Sequence, residues 1–234
     1  VRHGGFHAGG VGHVELHRGD AVVTPGRWRT TDRFDASLDV LATLDHEVSR
    51  RGAYLAYIGS RELPVTVRVL GVEALAPGAR GAVRLFLPVA LPMLPGDRYV
   101  LRESGRDETI GGGEVLDIAP ITRASQAAPD RSVERVVAER GWVDVHDLEL
   151  LTGADIEPTV GHWVTTPDVL EATRYRLAGA IAEAGATGLD LTQLDDRERA
   201  VVAQLDDVTV EGGRARTADA IDPYADHPLA ATIR

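Results

Sequence analysis

The chain changes its hydrophobic rhythm once. Up to about residue 118, apolar and polar positions alternate in short runs, the pattern of strands buried on one face. FDASLDVLATL (34–44), AYLAYI (53–58) and LPVTVRVLG (63–71) keep this period of two, and the last puts Val65, Val67 and Val69 on a single face. AVRLFLPVAL up to Leu91, RYVLRES, and EVLDI ending at Ile118 bring the count to about six strands. A charged turn (46–52), APGARG (76–81) and PGD (95–97) punctuate them. Such regular spacing predicts an all-β barrel or sandwich, and closing the sheet into a barrel removes its unpaired edges. Pro88, Pro92 and Pro95 are expected at edges or bends, because proline cannot donate to a central ladder. The triple glycine at 111–113 is expected to mark a bulge or a close approach of backbones.

ITRASQAAPD (121–130) reads as a linker, and after it the period becomes helical. Val133, Val136 and Val137 share one face of a helix that Gly141 closes. Asp144 is placed to cap a second helix, with Leu148 and Leu151 inward and Gly153 at its end. A short strand (160–165) follows, and Thr166 and Pro167 open a longer helix reaching about Ala184. One more helix (195–205) precedes VTVEGGRARTA, a hairpin turning on Gly212 and Gly213. Helices followed by a small hairpin predict one or two winged-helix-like units, with no stop signal over 227–234. Trp142 and Trp163 are expected in the core of this helical half.

Charge follows the same division. Residues 1–123 carry 15 Arg against 15 acidic residues, whereas 124–234 carry 10 Arg against 21 and hold the whole net charge of −11. The second half is therefore a poor electrostatic partner for phosphate backbones. Cysteine is absent, which excludes disulfides and thiol chemistry. Lysine and asparagine are absent too, so neither a GxxxxGK[ST] loop nor the Asn-Lys-x-Asp guanine-reading motif can be present. No GxSxG turn or comparable catalytic set occurs, and the chain is not expected to be an enzyme. No apolar run reaches the roughly 18 residues of a membrane span, and no basic-then-apolar leader is visible, so neither a span nor a signal peptide is expected in this stretch. VRHGGFHAGG, without an initiating Met, reads as the interior of a longer protein. His3, His7, His13 and His17 form two HxxxH pairs, but the surrounding glycines oppose the helix a metal site would need. The tripeptide Arg18–Gly19–Asp20 begins a strand and carries no adhesion signal.

Three stretches resemble the barrels of translation factors. HVELHRGDAVVTPG (13–26) is similar to the closing strand of domain two in elongation factor Tu and its relatives. GDRYVLRESGRDETIGGGEVLDIAP (96–120) resembles the last two strands of that family's third barrel. Its IGGG followed by VLD is the form of the selenocysteine-specific branch, as is IGSRELPVTVRVL (58–70). The resemblance implies a multidomain β-plus-α chain, a six-stranded translation-factor barrel followed by winged-helix-like units. Residues 1–29 would be the remnant of domain two, 30–120 the domain-three barrel, 121–130 the linker and 131–234 the arm.

It further implies a cytoplasmic elongation factor that delivers selenocysteinyl-tRNA to the ribosome at recoded UGA codons. An mRNA hairpin would be read through a part absent from this sequence, and GTP with Mg would be bound in a likewise absent N-terminal domain. The barrel would contribute tRNA contacts and the acidic arm would act as a spacer. The loop after the penultimate barrel strand lies near the tRNA T-stem in the family, which maps here to Arg102, Ser104, Gly105, Arg106 and Thr109, with Arg61 and Arg98 as further candidates. Arginine forks suit phosphate, and Ser or Gly lets backbone amides approach it. The alternative for the same residues is a solvated hairpin tip paired with Glu103, Asp107 or Glu108. Rival readings of the chain are the barrel of another translational GTPase and a β sensor joined to a winged-helix DNA-binding regulator. The arm after Pro120 disfavours the first, and the lack of a basic recognition helix disfavours the second.

Overall fold

The structure is a computed structural model that describes residues 19–24 and 26–220. The HxxxH pairs, most of the domain-two remnant and the 227–234 stretch lie outside the described residues. The chain divides into two compact units between Asp130 and Arg131.

Among the described residues of the first unit, eight strands form: β1 (Arg29–Val40), β2 (Val48–Ser49), β3 (Tyr54–Ile58), β4 (Arg61–Val69), β5 (Ala74–Leu75), β6 (Arg80–Met93), β7 (Arg98–Glu103) and β8 (Glu108–Asp117). Six of them close a barrel in the order β1-β6-β4-β3-β7-β8, and the two-residue strands β2 and β5 pair with each other beside it. Every pairing in the barrel is antiparallel. The alternation read from the sequence becomes inside and outside. Phe34, Ala36, Leu38, Val65, Val67, Val69, Val83, Leu85, Tyr99, Leu101, Ile110 and Val115 are buried together as the core.

Two strands run further than their apolar residues suggest. The polar start of β1 pairs with the far end of β6, Arg29 with Met93 and Thr31 with Leu91, across an irregularity before Arg33. Pro88 falls in the stretch of β6 that this irregularity leaves without β1 partners. Pro92 lies beyond the four residues that pair with β4, where β6 has one neighbour and needs fewer donors.

Barrel closure rests on the triple glycine. A side chain at Gly111 would overlap the Asp39 carbonyl, one at Gly112 the Tyr99 carbonyl, and one at Gly113 the Ser37 carbonyl. The Ser37 hydroxyl accepts the Glu114 N–H at 3.0 Å across the same seam. Tyr99, opposite Gly113 in the β7–β8 ladder, reaches across β8 and donates its hydroxyl to the Ser37 carbonyl at 2.8 Å.

On the outer face of the same wall, Asp35 and Arg84 are 2% and 5% exposed. Arg84 donates Nε to Asp35 Oδ1 at 2.6 Å and Nη2 to Oδ2 at 2.8 Å, a bidentate pair. Nη2 also meets the Thr122 carbonyl at 3.0 Å, and Arg33 reaches the Pro120 carbonyl at 3.2 Å. The segment leaving β8 is thereby held against the barrel.

The second unit comprises α1 (Val133–Arg140), β9 (Trp142–Asp144), α2 (Val145–Thr152), β10 (Trp163–Thr165), α3 (Pro167–Ala184), β11 (Leu189–Asp190), α4 (Asp196–Val202), β12 (Val208–Glu211) and β13 (Arg214–Thr217). The cap at Asp144 and the helix ends at Gly141 and Gly153 are those expected. Thr166 precedes its helix without a side-chain cap bond, and Asp195 adds a cap the sequence reading did not name. Asp144 accepts from the amides of His146 and Asp147, Gly141 and Gly153 end their helices at positive φ, and Asp195 with Glu198 forms a capping box. Leu170, Leu177, Ile181, Val201, Val202 and Ala215 make a buried cluster against which Trp142 and Trp163 pack. The last sheet has the order β11-β13-β12, with β12 and β13 joined through Gly212 and Gly213.

Two stability predictions follow from the seam and the buried pair. Gly113→Ala is expected to lower unfolding free energy by about 1–3 kcal/mol, because backbone must move to admit the methyl group. Gly105→Ala, with open space around it, is expected to stay within about 0.5 kcal/mol. Asp35→Ala leaves a buried guanidinium without its carboxylate and is expected to cost about 3–5 kcal/mol, whereas replacing both partners by apolar residues of similar volume costs far less. Urea unfolding of the four variants beside the unaltered chain measures all of these differences, and equal losses in the single and double variants would contradict the buried-pair account.

Candidate functional site

The seven sequence-predicted residues fall at two ends of one strand. Arg102, Ser104, Gly105, Arg106 and Thr109 belong to the β7–β8 hairpin tip, whereas Arg98 begins β7, four residues and about 13 Å away. Arg61 begins β4 opposite Ile58, which in turn pairs with Tyr99, so Arg61 lies at the Arg98 end. Arg61 holds Asp20 at 2.8 Å. Arg98 is exposed and lines a shallow recess with Tyr57, Val100 and Glu114.

The tip turns at Asp107, whose φ of 50° is the one positive value among described residues other than glycine. Arg102 donates Nη2 to both the Asp107 carbonyl at 2.9 Å and its carboxylate at 2.7 Å, which closes the turn on itself. A hydrogen bond with Tyr57 and the Asp107 charge both raise the Arg102 pKa. Arg106 extends to the loop after β1, where it meets Asp45 Oδ1 at 3.0 Å, and it lies 3.6 Å from Glu103. His46 joins the group, with Nδ1 2.8 Å from Asp45 and Nε2 2.9 Å from Glu103. The hydrogen bond that His46 donates to Asp45 is the main cause holding the His46 pKa above its ordinary value, and the same bond, with Arg106, lowers that of Asp45. Ser104 is anchored by the Ala53 carbonyl through its amide at 2.8 Å and its hydroxyl at 3.1 Å. Gly105 is exposed and Thr109 faces solvent beside Arg102 in the ladder.

The pairing anticipated as the alternative for this tip is therefore present, and it extends to Asp45 and His46, which the sequence reading did not single out. That reading also passed over Arg50, Arg51 and Arg68. The charged turn ahead of β3 was its only signal for the first two, and nothing in sequence spacing links them to Arg68. The chain has neither Lys nor Asn, and no group of three or more His, Asp or Glu able to hold a metal ion occurs among the described residues. No described helix is long and apolar enough to cross a membrane.

No family model matches the chain. Over 108 residues it is 25% identical to the selenocysteine-specific elongation factor of Desulfomicrobium baculatum, a match covering 46% of this chain and 17% of that protein. The crystal structure of a bacterial selenocysteine-specific elongation factor, EF-Sec, superimposes on 82% of this chain and 35% of its own, with a TM-score of 0.54 and 14% identity. The chain thus spans well under half of either protein. In sequence and, separately, in fold, it is similar to part of a selenocysteine-specific elongation factor, as its IGGG-x-VLD stretch suggested.

Proposed function

We propose that this chain serves selenocysteine incorporation, as the barrel and arm of a factor that carries selenocysteinyl-tRNA to the ribosome at recoded UGA codons. The observation that carries this reading is the sequence match to a selenocysteine-specific elongation factor in a chain whose barrel closes with six strands. The barrel contacts the acceptor and T-stem side of the tRNA. The second unit acts as a spacer toward an mRNA-reading end. GTP binding and hydrolysis, with Mg, belong to a separate domain, and the cytoplasm is the site of action. Elongation by a general Tu-type factor is the weaker reading, because a helical unit follows the barrel here.

The ion pairs at the tip do not bar RNA. Asp107 and Asp45 are 90% and 81% exposed, and such surface pairs contribute at most about 1 kcal/mol. A phosphate replaces each carboxylate with a charge-assisted, forked contact of similar geometry. In the second unit the arginines of α4 are held locally. Arg197 pairs with Asp195 at 2.7 Å and Arg199 lies 3.6 Å from Asp196, inside an acidic half that repels phosphate.

Arg102→Ala with Arg106→Ala is expected to weaken binding of a labelled acceptor–T-stem RNA duplex by about tenfold or more, roughly 1.4 kcal/mol. Fluorescence anisotropy with the whole chain reads this directly. Unchanged affinity returns both arginines to a purely structural role.

A further inference from the structure

At least twelve described arginines hold a carboxylate within ion-pair distance. The side chains of Arg50, Arg51 and Arg68 hold no partner among the described residues, yet all three line one recess of about 570 Å³. Glu47 and Glu73 line it as well, neither paired with an arginine, so three guanidinium groups face two carboxylates. The recess is net cationic in a chain of net charge −11.

The loop that presents Arg50 and Arg51 is built, not loose. β2 ties its start to β5, Val48 to Leu75 and Ser49 to Ala74. Tyr54 then clamps the turn from both sides, its hydroxyl donating to the Ser49 carbonyl at 2.8 Å and accepting the Ser49 N–H at 3.1 Å. Gly52 lies so close to the Tyr54 ring that any side chain there would collide with it. Two exposed arginines thus project from a fixed backbone, which lowers the ordering cost of binding. The same loop abuts the hairpin tip, because Ser104 bonds the Ala53 carbonyl and Tyr54 pairs with Glu103. Arg68 reaches the recess from β4, and Ser125 closes it from the segment after the barrel.

We propose that this recess is a phosphodiester-binding site, continuous with the hairpin tip, where Arg50, Arg51 and Arg68 hold the backbone of a bound RNA duplex. The inference rests on the RNA-contact reading above and moves most of the binding charge from the tip to this recess. Guanidinium forks without internal partners lose no ion pair when they take phosphate, whereas Arg102 and Arg106 must release one.

The test is the salt dependence of binding, by anisotropy, of an acceptor–T-stem RNA duplex to the whole chain. Each phosphate contact contributes roughly 0.9 to the slope of log K against log salt. The Arg50→Ala, Arg51→Ala, Arg68→Ala triple variant is expected to flatten that slope by about two to three and to weaken binding at least tenfold near 0.1 M salt. The triple Lys variant keeps its charges and is expected to keep the slope. Arg27→Ala removes another exposed arginine, one outside the recess, and is expected to change neither. If the triple Ala variant binds as the unaltered chain does, while R102A/R106A binds weakly, this inference falls and the reading stands. An effect of Arg27→Ala as large per charge also overturns it. If the unaltered chain binds no RNA duplex, both fall together.

Discussion

The closed barrel depends on backbones meeting where side chains are missing. Along β8, Gly111 and Gly113 bring their α-carbons against the Asp39 and Ser37 carbonyls of β1, and Gly112 lies against the Tyr99 carbonyl of β7. Any Cβ there would hold β8 away from its neighbours and open the sheet. The space left inside is filled by Tyr99, whose ring lies 6.2 Å from that of Phe34 in an edge-on arrangement. Burial raises the Tyr99 phenol pKa, so the hydroxyl remains a donor to Ser37 throughout the physiological range. One tyrosine and three glycines thereby join β7, β8 and β1 where the last strand of the barrel meets the first.

That rigidity is what gives the surface its chemistry. The wall fixes where β3 starts and β7 ends, and two loops are then fastened to those points, the Tyr54-clamped turn and the Arg102-closed tip. The charges differ in kind between them. At the tip, Arg106, Asp45, His46 and Glu103 lie within ion-pair distance of one another and shape the loop. In the adjoining recess, the arginine side chains have no partner among the described residues and stand on a backbone that is already ordered. Behind the same wall the Asp35–Arg84 pair, too deeply buried to meet a ligand, secures the chain as it leaves the barrel.

Much of this was legible in the sequence because period-two alternation maps directly onto a closed sheet with one buried face. The Leu63 to Val69 run predicted its inward residues correctly, and the helix caps at Asp144, Thr166–Pro167 and Asp195 lie at the boundaries read for them, although Thr166 makes no side-chain cap bond. The triple glycine was legible as a bulge or a close approach of backbones, and close approach is what the strand shows. The start of β1 was not legible. Arg29 to Arg33 are polar, and they are strand only because the far end of β6, past a bulge, offers them a partner. Nor was the recess. Arg68 stands seventeen residues from Arg51, and only the β3–β4 hairpin and the exit segment bring their surroundings together. At the tip, the acidic partners named from local sequence included Asp107 and Glu103, but Asp45 and His46 come from sixty residues earlier, a distance no local pattern spans.

The central claim is that RNA meets this protein at one end of the barrel and not on its acidic half. Amide chemical-shift mapping of the isotope-labelled chain, titrated with an acceptor–T-stem duplex, tests it most directly. The account predicts that perturbed amides concentrate at Ser49–Ala53, Arg68 and Ser104–Asp107, with residues 131–220 unchanged. Perturbations centred on α4 and the β12–β13 hairpin, with the barrel silent, would contradict it.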